Sequence, residues 1–168
     1  MRSKADKIKP PDEMAAICRA AQAEGKTVVH CHGVFDLVHP GHINYFEQAK
    51  KLGDIVYVGA IADRFVRKGP GRPRFPEDVR LGWLAGLEAV DYVVMNEAEG
   101  PWELMRLVRP NFYTKGESEK SKLDNPESGL SMDKRVMEEI GGELCFTPEV
   151  EIHSTDLFRS LGLEGDKI

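Results

Sequence analysis

The sequence predicts an α/β protein: a parallel sheet of five strands, doubly wound, with helices on both faces. Two observations predict it. Short, β-branched apolar runs alternate with stretches of helical periodicity along the whole chain. No fixed-period repeat and no second composition regime divides it. The 168 residues therefore read as one domain, 1–168, with a core over about 27–162 and a lead-in over 1–10.

Taken in order, residues 1–10 are a basic segment ending in proline. A helix begins at Asp12, with Met14, Ala15, Ile17, Cys18 and Ala21 on one face, and Gly25 stops it. Thr27 to Cys31 fits a buried strand. After Gly33 a helix runs from about Pro40 to Leu52, with Ile43, Phe46, Ala49 and Leu52 at helical spacing. Asp54 to Ala62 is the second strand. Residues 67–76, with four basic residues, three prolines and two glycines, form a loop. A helix over Glu77–Leu87 precedes the strand Asp91–Met95. Trp102–Val108 is a short helix closed by Pro110, and Asn111–Thr114 is a strand ending at Lys115-Gly116. Residues 117–131 are polar and turn-rich, which predicts a mobile segment. Met132–Ile140 is helical, Glu143–Thr147 a strand, and Ser154–Leu161 the last helix.

Composition narrows the function classes. Hydrophobic residues make up 41% and charged ones 30%, which excludes collagenous, disordered and membrane-embedded chains. The net charge of −5 gives no general basic field for nucleic acid, so phosphate chemistry must rest on a local site. Cys18, Cys31 and Cys145 lie far apart in apolar stretches and read as buried free thiols. With a polar N-terminus and no apolar run long enough to span a bilayer, the expected location is the cytoplasm.

The most informative stretch is Cys31-His-Gly-Val-Phe-Asp-Leu-Val-His-Pro-Gly-His42. It follows the first strand and opens a helix, where a doubly wound sheet places its ligand. Gly33 lets the backbone approach a ligand closely. Pro40 suits a first helical turn, whose N–H groups and dipole favour an anion. His39 and His42, three apart, point to one side of that turn, a pairing suited to phosphate oxygens. Four histidines in thirteen residues also raise a zinc reading, but no Cys or carboxylate completes a ligand spacing, so no protein metal ligand is assigned. His30 reads as a core residue. Asp36, just ahead of the helix, reads as a structural cap and not as a general base.

The stretch HGVFDLVHPGH resembles the G-x-F-D-x-x-H-x-G-H signature of the cytidylyltransferase-like nucleotidyltransferases. The wider GVFDLVHPGHINYFEQAKKLGD, with GRPRFPEDVRLGWLAGLEAVDYVV, YTKG and HSTDLF, looks most like the nucleotidyltransferase domain of ADP-heptose synthase and its relatives. Similarity to glycerol-3-phosphate cytidylyltransferases is weaker. Those enzymes carry arginines where this chain has Glu88 and the PEVEI stretch, which favours the sugar-phosphate branch.

The resemblance implies a Rossmann-like fold of the HUP nucleotidyltransferase type. It also implies transfer of a nucleoside monophosphate from CTP or ATP to the phosphate or phosphonate of a small acceptor, with Mg²⁺ accompanying the triphosphate. The resemblance assigns His39 and His42 to the reacting phosphates. Lys68, preferred over Arg67, Arg72 and Arg74 on a flexible cationic loop, and Arg80 would grip the triphosphate. The structural alternative for Arg80 is a pair with Glu77. His32, Gly33, Val34, Phe35, Gly41, Lys115, Gly116, Ser154 and Thr155 would seat the nucleotide, His32 standing where relatives usually carry Asn or Thr. Relatives usually follow the Lys-Gly turn with an Asp-aromatic pair, but this chain has Glu117-Ser118-Glu119, which leaves the base open. The 117–131 segment is either an acceptor lid or a surface loop. A homodimer stays open, and so does a different class of function, a nucleotide-binding regulatory module without transfer.

Overall fold

The computed structural model describes residues 3–148, 154–160 and 162. Its five strands are β1 (Val28–Gly33), β2 (Ile55–Ile61), β3 (Tyr92–Asn96), β4 (Phe112–Gly116) and β5 (Glu143–Thr147), in the spatial order β3-β2-β1-β4-β5, every pair parallel. The chain winds outward from β1 to β3, then returns to the other side of β1 for β4. The crevice where the order reverses lies at the carboxyl ends of β1 and β4.

Period-two alternation decides which helix each strand residue meets. Val28 packs under α2 (Pro11–Ala23) and α5 (Trp102–Val108), through Met14, Cys18, Leu104 and Val108. Its neighbours Val29 and Cys31 face the opposite layer, under α3 (Pro40–Lys50) and α4 (Glu77–Ala85), with Phe46, Ala49, Leu81 and Leu84. A smaller cluster seats α6 (Gly129–Ile140) on Tyr113 through Val136, Met137 and Ile140. Apolar residues on both strand faces are what a sheet covered on both sides requires.

Two expectations change. The lead-in is not a plain basic tail: Lys4–Lys7 forms α1, with Ser3 and Asp6 in a capping box. The Lys7 ammonium donates to the carbonyls of Leu87 and Val90 at 2.9 and 2.7 Å, and Ile8 bridges Val93 beside β3. Lysines can thus anchor a segment through carbonyls, which composition alone does not reveal.

Second, the 117–131 segment is regular: Glu117–Asp124 is 3₁₀-helical, and α6 starts at Gly129, three residues before Met132. Ser128 accepts from the Ser131 amide at 3.1 Å and caps α6. The bounds expected for α5, Trp102–Val108, hold; just before Pro110, Arg109 adopts a left-handed conformation (φ 55°) and returns its amide to Met105.

Gly59 of β2 lies opposite His32. A Cβ there would sit 2.9 Å from His30 Nε2 and 3.0 Å from Leu104 Cδ2. No side chain fits between the buried imidazole and α5, so the strand needs glycine despite its low β-propensity.

Candidate active site

β1 ends at Gly33, and the chain turns through Val34–Val38 into α3, with His39 as its extended N-cap residue and Pro40 in its first turn. The turn is tight. Phe35 adopts a left-handed conformation (φ 51°), costly for a side chain with a Cβ. A Cβ on Gly33 would meet the Phe35 ring at 3.1–3.4 Å. Glycine at 33 therefore makes room for Phe35 folding back, and it also lines the cleft. Phe35 in turn sets its ring edge-on to His42, 5.2 Å between centroids.

His39 and His42 stack, with centroids 3.8 Å apart and planes inclined 26°. They face a cleft of about 960 Å³ at the carboxyl edge of the sheet. Its wall also includes His32, Gly33, Val34, Phe35, Gly41, Lys68, Lys115 and Gly116, which the sequence placed together. Ser154 and Thr155 begin α7 (Ser154–Ser160), but their side chains, like His153, lie outside the described residues.

His32 is neutral at physiological pH. Burial first, then the nearby Lys115 ammonium, lower its pKa to about 3. Its Nε2 lies 3.0 Å from the Asn96 amide nitrogen, which also contacts the carbonyls of Ala98 at 3.0 Å and Gly100 at 2.9 Å. A neutral ring accepting at Nε2 thus ties β1 to the loop before α5. His30 is fully buried and stacks on Tyr57 at 4.4 Å, so it is a core residue as read from the sequence.

Asp36 is structural, but it does not cap α3. Its Oδ1 accepts from the amides of Arg74 and Phe75 at 2.7 and 3.1 Å, and its Oδ2 pairs with Arg72 at 2.7 Å. This buried carboxylate pins the basic loop, so the flexible arm expected over 67–76 is fixed at its distal half. Of the four basic residues there, only Lys68 lines the cleft. Partial desolvation first, then the Arg72 guanidinium, lower its pKa, and Asp36 opposes them. Arg67 pairs on the surface with Glu99 at 2.8 Å.

Arg80 departs from its expected role. Its side chain is fully buried and does not line the cleft. The guanidinium donates to the carbonyls of Phe75, Val34 and Ile61 and pairs with Asp63 at 2.9 Å; no pair with Glu77 is formed. A planar guanidinium with five fixed donors suits this bracing of three backbone carbonyls. Sequence position brought Arg80 to the right edge of the sheet, but only the fold shows that its donors are already used.

Several cleft residues were missed. Tyr45 lies three residues after His42 on α3 and reaches the Thr114 carbonyl at 2.6 Å. Helical spacing alone could have found it. Trp102 opens α5 beyond a strand's carboxyl end, also a readable position. Its indole N–H donates at 2.8 Å to Asp133 of α6, a residue with no sequence signal. Burial raises the Asp133 pKa, against the Lys115 charge and the indole bond. Glu99, Glu119 and Lys122 complete a mixed-charge end, opposite in character to the histidine end. Among the described residues, no three His, Cys, Asp or Glu side chains converge as a metal centre.

Residues 30–157 match the family described as cytidylyltransferase-like. The chain belongs to that family. Among its curated relatives is the bifunctional protein HldE of a Nitratiruptor species, 38% identical over 138 residues, which cover 81% of this chain and 30% of that protein. HldE of Trichlorobacter lovleyi is 36% identical over 156 residues, 92% of this chain and 30% of that protein. The cytidylyltransferase-like chain thus spans about 30% of the length of these relatives.

A solved structure, the lipopolysaccharide core biosynthesis protein from Thermoplasma volcanium, superposes with a TM-score of 0.60 at 25% identity. The match covers 77% of this chain and 100% of that one. The five-stranded parallel sheet wrapped by helices is the Rossmann-like nucleotidyltransferase fold of this family. No helix among the described residues is long and apolar enough to cross a membrane.

Proposed function

We propose that this chain is a cytoplasmic nucleotidylyltransferase. It moves a nucleoside monophosphate from CTP or ATP to the phosphate or phosphonate of a small acceptor, a sugar phosphate being the favoured class. The observation that carries this reading is the stacked His39–His42 pair at the start of α3, inside a cleft large enough for two small substrates. The match to HldE proteins supports ATP and a sugar phosphate.

The chemistry asks little of acid–base groups. An acceptor phosphate oxygen, already anionic, attacks the α-phosphorus; the bond to the bridging oxygen breaks, and pyrophosphate leaves with that electron pair. Catalysis is then positioning plus stabilisation of charge on the transferring group. His39 and His42 would neutralise α- and β-phosphate oxygens, and Lys68 would hold the β,γ leaving group. Ser154 and Thr155 belong to the same proposal through the family signature. Mg²⁺ would enter on the triphosphate and reduce its charge. The described side chains offer no converged ligand set for it, and no step is routed through a protein-held ion.

Trp102, Asp133 and Lys122 form the opposite wall and would meet the body of the acceptor, with residues 117–131 contributing Ser118, Glu119, Gly129 and Leu130. The deciding experiment is an activity matrix of ATP and CTP against sugar, polyol and phosphonate acceptors, read by pyrophosphate release and mass spectrometry. One nucleotide–acceptor pair should give a nucleoside diphosphate conjugate. Tight nucleotide binding with no release from any pair would instead indicate a non-catalytic module.

A further inference from the structure

Among the described side chains of α7, Phe158 alone is buried, while Asp156, Arg159 and Ser160 are exposed and Leu157 is half-buried. Among the described side chains of this helix, that ring makes the buried contact. Two cations lie over that ring: the Arg72 guanidinium carbon is 4.8 Å from its centroid and that of Arg74 is 5.0 Å away. Phe75 approaches it at 6.5 Å. Both arginines are nearly buried, and Asp36 fixes their loop by two backbone bonds and an ion pair.

A continuous set of contacts thus runs from the turn after β1, through Asp36 and the arginines, to Phe158. The two elements so joined each supply a cleft residue, Lys68 from the loop and Asp156 from α7. Arg72 pairs with the Asp36 carboxylate, Arg74 donates its amide to it, and Lys68 feels its charge. An aromatic face, with its negative quadrupole, offers the guanidinia what an aliphatic side chain of similar volume cannot.

We infer that Phe158 is a positioning residue: clamped by Arg72 and Arg74, it locks two walls of the cleft together and holds Lys68 toward the polyphosphate of the nucleotide. The inference rests on the nucleotidyl-transfer reading for its kinetic consequence and on geometry alone for the clamp. Phe158→Leu keeps the apolar volume and removes the ring.

Amide hydrogen exchange of the full chain should accelerate in both 67–76 and 154–160, and the KM for the nucleotide should rise roughly ten-fold. The kcat and the acceptor KM should stay within about two-fold, as expected of a group outside the reacting atoms. In an Arg74→Gln background, Phe158→Leu should add less than it does alone, since one of the two cations is already gone.

Unchanged exchange in 67–76 overturns the clamp, as do fully additive effects of the two substitutions. Loosening of both segments with an unaltered nucleotide KM overturns the positioning role. A wild-type chain that releases no pyrophosphate removes the transfer reading instead, and the exchange data then still decide whether Phe158 joins the two walls.

Discussion

The histidine pair and the carboxylate beside it divide the work of the signature turn between chemistry and architecture. His42 lies at van der Waals distance from His39 and edge-on to Phe35, and faces the cleft. Replacing it by alanine should lower turnover by ~10²-fold with the circular dichroism spectrum unchanged, since it removes charge stabilisation and little packing. Turnover near the wild-type rate would defeat the assignment.

Asp36 acts in the opposite sense. An asparagine in its place would keep an acceptor for the Arg74 and Phe75 amides but leave Arg72 without its counter-charge. Asp36→Asn should therefore cost about 3 kcal/mol in urea unfolding, with kcat in the surviving folded fraction largely retained. Arg80 belongs to the same class. Arg80→Met would orphan three carbonyls and Asp63, so its effect should appear in stability before it appears in nucleotide affinity.

Elements meet at positions where a small residue or a cap is the only solution. β2 can lie against His30 and α5 only because residue 59 has no side chain. Gly59→Ala should destabilise by ~1–3 kcal/mol, measured as a shift in the denaturation midpoint. A neutral substitution would mean that the imidazole of His30 can move aside. At the other end of the sheet, Ser128 organises the start of α6 by accepting from Ser131 and donating to the Lys122 carbonyl. Its removal would loosen the segment carrying Ser118, Glu119 and Lys122 along the cleft.

At the scale of the whole molecule, two buried imidazoles couple folding to pH. His30 and His32 are both held neutral by burial, His32 with a pKa of about 3 against an ordinary value of 6.5. Between those two values the unfolded chain takes up a proton at His32 that the folded chain refuses. Stability is therefore full above about pH 6.5 and falls as pH drops toward 3, with a slope of ~1.4 kcal/mol per pH unit for this group. Urea titrations at pH 7, 6, 5 and 4 should show a shallower acid limb for His32→Asn than for the wild type. Parallel curves would show that the ring is protonated in the fold.

Within an overall charge of −5, His39, His42, Lys68 and Lys115 are gathered along one cleft, as the proposed phosphate site requires. The carboxylates nearby are engaged: Asp36 pairs with Arg72 beneath the basic loop, and Asp133 accepts from the Trp102 indole.

By itself the sequence determined the alternation of strands and helices, the parallel sheet, and the turn that brings His39 and His42 together. These follow from local periodicity and from spacing of three residues along one helix, which the chain carries in every short window. It also marked Gly33, Lys68, Lys115 and Gly116 as cleft residues, through their place at strand ends. What it did not determine is which charged side chains are free to meet a substrate. Arg72, Arg74 and Arg80 have the composition of an anion-gripping loop, yet Asp36, Asp63, the Phe158 ring and a set of backbone carbonyls engage them. The Trp102–Asp133 pair joins residues 31 positions apart on separate helices. Such choices depend on which groups burial brings within hydrogen-bond range, a property of the packed chain that only the tertiary structure decides.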